Sequence, residues 1–176
     1  MSERPRVGIS RCLLGDEVRF DGTHKRDETL VGALSPHVEW IPVCPEVEIG
    51  MGTPREPIHL VAWRDGVPSL GERVRLIGVA SGEDWTERMQ AWARDRVRQL
   101  LSLGLSGYIL KASSPSCGID NVRVDHNGQE TRTGRGLFAQ ALVEAIPDLP
   151  VADEEQLRDP DIRARFLERI RAFHER

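Results

Sequence analysis

The sequence predicts an α/β fold, a Rossmann-like, mostly parallel sheet with helices on both faces in a three-layer arrangement. Two observations predict it. Short apolar runs at 6–10, 38–43 and 107–110 read as buried strands, and segments of helical periodicity alternate with them. Such alternation leaves a parallel sheet covered on both sides. A third observation is bulk composition: 176 residues, 39% hydrophobic and 30% charged, suffice for one domain with a real core.

Taken in order, Arg6-Val7-Gly8-Ile9-Ser10 is a short buried strand, and Cys12 follows it at once. Asp27 to Leu34 forms a short helix closed by Ser35-Pro36. Val38 to Val43 is the second strand, ended by Cys44-Pro45. Ile58 to Trp63 and Arg73 to Val79 read as extended segments joined through Asp65-Gly66, a hairpin signal. Ser81 is expected to begin a helix, with Asp84 three residues on in a variant of the capping box, and Gly104 to stop it. Trp85, Met89, Trp92, Val97, Leu100 and Leu101 are expected to give that helix its apolar stripe. Gly107 to Leu110 is the third strand, followed by Lys111 and a loop through Cys117. Gly136 opens a helix over Leu137 to Ala145, and Val151 marks a last short strand. Asp159-Pro160 starts a terminal helix carrying Ile162, Phe166, Ile170 and Phe173 at helical spacing. Residues 1–150 are expected to form the main domain, with 151–176 a helical extension packed on it or leading to a further domain.

The net charge of −4 does not support a general nucleic-acid surface. No apolar run approaches the ~20 residues of a membrane helix. The segment Met1-Ser2-Glu3-Arg4-Pro5 runs straight into a strand without a secretory signal, so a cytoplasmic location is expected. A reducing compartment disfavours disulfides, and three cysteines cannot all pair.

Cys12, Cys44 and Cys117 are distant in sequence, yet each follows a predicted parallel strand. Loops after the carboxyl ends of such strands converge on one rim, where ligands bind. Three thiols on one rim are expected to form a metal centre. The Ser113-Ser114-Pro115-Ser116-Cys117-Gly118 loop offers hydroxyls and N–H groups of the kind that stabilise thiolates. No C-x-x-C pair occurs, and spacing leaves open a zinc with three cysteines and water or an iron–sulfur cluster with one open iron. Non-enzymatic metal carriage and zinc-dependent nucleobase hydrolysis are the competing functions. The latter lacks its H-x-E and P-C-x-x-C signature.

Several separated motifs resemble one family. They are Val7-Gly8-Ile9-Ser10-Arg11-Cys12-Leu13-Leu14-Gly15, Val18-Arg19-Phe20-Asp21-Gly22, Cys44-Pro45-Glu46-Val47 with Thr53-Pro54-Arg55, and Ile109-Leu110-Lys111 through Ser114-Pro115-Ser116-Cys117-Gly118. In this order, over about residues 6 to 145, the chain resembles the thiouracil desulfurases. The resemblance implies a [4Fe–4S] cluster held by Cys12, Cys44 and Cys117, with no protein ligand on the fourth iron. It implies catalytic roles for Glu46 and Ser114 in removing sulfur from a thiolated uracil: a thiouracil, 4-thiouridine or its nucleotide. Lys111 is read as offsetting the charge of the thiolate-bound cluster or holding substrate. Arg11 replaces a small residue, and Glu48-Ile49-Gly50-Met51-Gly52 lacks a double glycine. That stretch resembles the desulfidase domain of longer relatives acting on 4-thiouridine in RNA. His24, Lys25 and Ser116 are candidate substrate contacts. Arg135 precedes a helix in a glycine-bearing approach suited to a substrate phosphate.

Overall fold

A computed structural model describes residues 3–63 and 73–176. The Asp65-Gly66 turn lies outside the described residues. The strands are β1 (Arg6–Ser10), β2 (Glu39–Val43), β3 (Ile58–Trp63), β4 (Arg73–Gly78), β5 (Leu105–Leu110), β6 (Val122–His126), β7 (Gln129–Gly134) and β8 (Val151–Asp153). The α-helices are α1 (Glu28–Leu34), α2 (Pro45–Glu48), α3 (Thr86–Ser102), α4 (Leu137–Ala145) and α5 (Pro160–His174).

The expected parallel sheet is β2-β1-β5-β8, with every neighbouring pair parallel. Val7, Ile9, Ile109 and Ala152 pack on one face against Leu30 and Leu34 of α1 and Phe166 and Ile170 of α5. Val43, Tyr108 and Leu110 pack on the other against Val97 and Leu100 of α3 and Phe138 and Leu142 of α4. Thus β8 and α5, from residues 151–174, supply an edge strand and part of one covering layer. Gly8 pairs in register with Tyr108, and a Cβ there would stand 2.3 Å from the Tyr108 ring. Only glycine lets that ring, edge-on to Phe138 at 5.5 Å between centroids, lie over β1.

The remaining strands form a second, mixed sheet, β4-β3-β6-β7, in which only β3 and β6 are parallel. Its Leu60, Leu76, Val122 and Val124 cluster with Trp85, Met89 and Leu137, so α3 and α4 begin against the second sheet and run on over the first. The expectation that α3 begins at Ser81 is corrected. The Ser81 hydroxyl and its N–H bind the Glu56 carboxylate, and Gly78 donates to Glu83 O at 2.9 Å, closing a turn instead. Asp84 then accepts from Thr86 N at 2.9 Å, where the helix begins.

Candidate active site

The chain leaves β1 toward β2 on one side and later returns through β5 on the other, so the sheet order reverses at β1. In such sheets the crevice beyond the carboxyl ends of the strands at the reversal is where ligands bind. Each strand delivers a functional group there. Cys12 sits in a single 3-10 turn, Arg11–Leu14, after β1. Cys44 is the residue between β2 and α2. Lys111 follows β5, and the loop beyond it brings back Cys117. Glu154 follows β8.

A cleft of about 350 Å³ opens at this rim. Cys12, Cys44, Cys117, Glu46, Ser114, Lys111 and Lys25 all line it, with Ser10, Phe20, Arg55 and Glu56 among its other walls. Residues from four separate stretches of chain therefore meet as the apolar strand pattern requires. All three thiols are buried and free.

Burial raises all three thiols above their ordinary range. Burial pushes the Cys12 thiol up to about 11, opposed by the Lys111 ammonium. Burial and the neighbouring Glu46 carboxylate push Cys44 up to about 12. Cys117 is raised by burial and by Glu46, with a hydrogen bond from Ser10 opposing. The Cys44 thiol donates to Glu46 Oε2 at 3.6 Å. Glu46 is itself buried, on the short helix α2 that Pro45 starts. Cys44 N donates to Glu48 at 3.2 Å, and Glu48 is ion-paired to Arg96 of α3 at 3.1 Å.

The Cys117 loop is built from its own side chains and from α4. Ser114 Oγ accepts from Ser116 N at 3.2 Å and Cys117 N at 3.0 Å. Ser10 Oγ accepts from Lys111 N at 2.9 Å, tying the ends of β1 and β5 together. The first turn of α4 has free N–H groups that need acceptors. Leu137 donates to Pro115 O at 3.1 Å, and Phe138 and Ala139 donate to Ser116 O at 3.0 and 3.1 Å. Gly136 permits this, since a Cβ there would fall 2.4–2.6 Å from the backbone of Ser116 and Cys117.

Three expected site residues do not line the cleft. His24 is exposed, with Nδ1 accepting from Arg26 N at 3.1 Å. Arg135 is held away by Ile119 O at 2.8 Å and Gln140 at 3.1 Å. Ser116 is fully buried behind the loop, where its hydroxyl has no partner among the described residues and its carbonyl caps α4. Two groups went unread in the sequence. Phe20 is 38% exposed on the cleft wall with the Arg19 guanidinium 5.5 Å from its ring centre. Glu154 is 5% exposed and bonded to Lys111. A phenylalanine set in a polar, glycine-bearing stretch, Arg19-Phe20-Asp21-Gly22, is a signal that sequence can offer. A lone glutamate after a three-residue strand offers none.

Most of the chain is similar to known proteins of one family. The model of a family described as 2-thiouracil desulfurase matches residues 7–154. An uncharacterized protein of Bacillus subtilis (strain 168), YbbK, is 32% identical over 151 residues, which is 86% of this chain and 97% of the relative. A solved structure of a [4Fe–4S]-dependent thiouracil desulfidase, TudS, superposes with a TM-score of 0.64 at 30% identity, covering 93% of this chain and 97% of that one. Among the described residues no helix is long and apolar enough to cross a membrane.

Proposed function

We propose that this chain, which belongs to the 2-thiouracil desulfurase family, removes sulfur from a thiolated uracil with the help of a [4Fe–4S] cluster. The observation that carries the proposal is the meeting of three buried thiols and a buried carboxylate in one cleft at the sheet reversal. The reaction exchanges a C=S bond for C=O. Water supplies the oxygen, hydrosulfide and a proton leave, and no electrons are transferred.

The donor set fits the cluster. Cys12, Cys44 and Cys117 are the only cysteines of the chain, so three irons would be held and one left open. Among the described residues no three His, Cys, Asp or Glu side chains are grouped tightly enough to share one ion. Thiolates on a single zinc crowd to about 2.3 Å from it, whereas a four-iron cluster takes each thiolate on a separate iron. Three thiols lining one cleft are placed so that each can meet a separate iron. When bound, the cluster would supply a sulfur-seeking Lewis acid that polarises the thiocarbonyl.

The chain's own residues then divide the remaining work. Glu46 accepts a proton from the attacking water and returns one as sulfur departs. Ser114 fixes the Cys117 N–H and keeps its own hydrogen for the cleft. Phe20, the one aromatic side chain lining the cleft among the described residues, offers a face on which a planar pyrimidine can stack. A cleft of about 350 Å³ suits a base-sized ligand. Burial of all three thiols favours an enzyme over a carrier that hands its metal to a partner. Residues 151–176 are read as part of the same unit, because β8 pairs with β5 and α5 fills its face.

Anaerobically reconstituted protein should release hydrosulfide from 2-thiouracil. Glu46→Ala should keep the cluster and lose about 100-fold or more in kcat, the usual worth of a positioned acid–base group. A Glu46→Ala variant of full activity would remove that residue from the mechanism.

A further inference from the structure

Glu154 is a buried carboxylate to which the chemistry above gives no role. Its Oε1 lies 2.6 Å from Lys111 Nζ, and its Oε2 accepts from Ala112 N at 2.8 Å. Lys111 Nζ also donates to Ala112 O at 2.9 Å. The ammonium is thus gripped twice, by a side chain from β8 and by the backbone beside it. Its own backbone N–H is taken by Ser10 at 2.9 Å. Lysine has four rotatable side-chain bonds and is usually the loosest cation on a protein. Here it is fixed in the cleft wall, with 23% of its side chain exposed. Lys111 lines the same cleft as Cys12, Cys44 and Cys117. The three thiols and Glu46 are all acidic groups, so a cation held at this point opposes the charge that three thiolates bring together.

We propose that Glu154 is a positioning residue that clamps the Lys111 ammonium in the cleft, completing the site from the fourth strand of the sheet. The proposal rests on the desulfidase reading for its effect on turnover, but the clamp itself does not.

The sequence makes the clamp directly measurable, because Lys25 and Lys111 are its only lysines. Both line the cleft, and Lys25 is exposed. Limited acetylation of the full chain with N-hydroxysuccinimide acetate, read site by site by mass spectrometry, gives Lys25 as an internal reference. Wild type should acetylate Lys111 at least tenfold more slowly than Lys25. Glu154→Gln keeps an oxygen for Ala112 N–H but loses the charge. It should speed Lys111 acetylation at least fivefold, leave Lys25 unchanged and fold normally. Loaded anaerobically, Glu154→Gln should also lose at least tenfold in kcat on 2-thiouracil, and no further loss should follow when it is added to Lys111→Met. Unchanged Lys111 acetylation in Glu154→Gln would overturn the clamp, since a purely structural role through Ala112 survives that substitution. Equal losses from Glu154→Gln with and without Lys111 would overturn it too. Protected Lys111 in a wild type that releases no hydrosulfide would keep the clamp and reject the desulfidase reading.

Discussion

Gly136→Ala tests whether α4 and the Cys117 loop are one mechanical unit. Gly136 has an ordinary φ of −61°, so alanine meets no backbone strain there. The cost is contact: the added Cβ would fall 2.4 Å from Ser116 C, 2.5 Å from Ser116 O and 2.6 Å from Cys117 N, inside the 3.0 Å that real Cβ atoms respect. These are backbone atoms and cannot swing aside. The loop and the helix must part by about 0.6 Å or more, comparable to the ~0.5 Å tolerance of a preorganised site. Parting them lengthens the bonds from Leu137, Phe138 and Ala139 to the loop carbonyls. Overpacking of this kind costs about 1–3 kcal/mol. For a chain of this size each kcal/mol lowers Tm by about 2–4 °C. The assay is a thermal melt together with iron content after anaerobic reconstitution. Gly32→Ala is the control, since Gly32 lies within α1 with nothing within 4 Å of its added Cβ. It should stabilise by about 0.5–1 kcal/mol. Gly136→Ala should melt lower and hold less iron. A variant that melts with wild type and loads fully would refute the coupling.

Two further outcomes follow from groups outside the cleft. Burial holds the Asp153 carboxyl above the usual carboxylate range, so the folded chain binds that proton more tightly than the unfolded one. The linked stability is complete below the unfolded value and is lost as pH rises through the raised folded value. Asp153→Asn keeps an oxygen for Gln156 N, now bonded at 2.8 Å, and removes that loss. Its Tm should exceed wild type at neutral pH, with the gap closing in acid; a gap that widens in acid would show the sign to be wrong. Asp159 caps α5 by accepting from Asp161 N at 2.8 Å and Ile162 N at 3.3 Å. Asp159→Ala should therefore cost about 1 kcal/mol, seen as a lower urea midpoint at unchanged slope.

The parallel sheet and its thiol-bearing rim were legible because burial on both faces leaves an unbroken apolar run. Val7-Gly8-Ile9 and Gly107 to Leu110 carry that mark, whereas Val38 to Val43 became an edge strand, interrupted by Glu39 and only partly buried; the cysteines lie in the loops beyond these strands. The β6–β7 hairpin went unread because β7, Gln129–Gly134, is mostly exposed and has no apolar residue to show a period. Its turn was nonetheless signalled by Asn127-Gly128, whose φ values of 55° and 89° are those a tight hairpin asks of such a pair. Ser81 misled as a helix start because its hydroxyl has a stronger acceptor in Glu56, 25 residues away in the chain. Local pattern cannot see such a partner. The same holds for Glu154, whose meaning depends on β8 pairing with β5. Arg135 carried a sound anion-binding pattern, but the N–H groups at the start of α4 are consumed by the Cys117 loop.

The most direct test is a stoichiometric one. Protein loaded anaerobically to about four irons per chain, the content of the [4Fe–4S] cluster on which the related desulfidase depends, is incubated with 2-thiouracil while uracil and hydrosulfide are quantified together. Wild type should form the two in equal amounts without added reductant, and Cys12→Ser, Cys44→Ser and Cys117→Ser should each hold less iron and form neither. A fully loaded wild type that yields no hydrosulfide would contradict the desulfidase reading, and a cysteine variant that loads and turns over normally would contradict the assignment of these thiols.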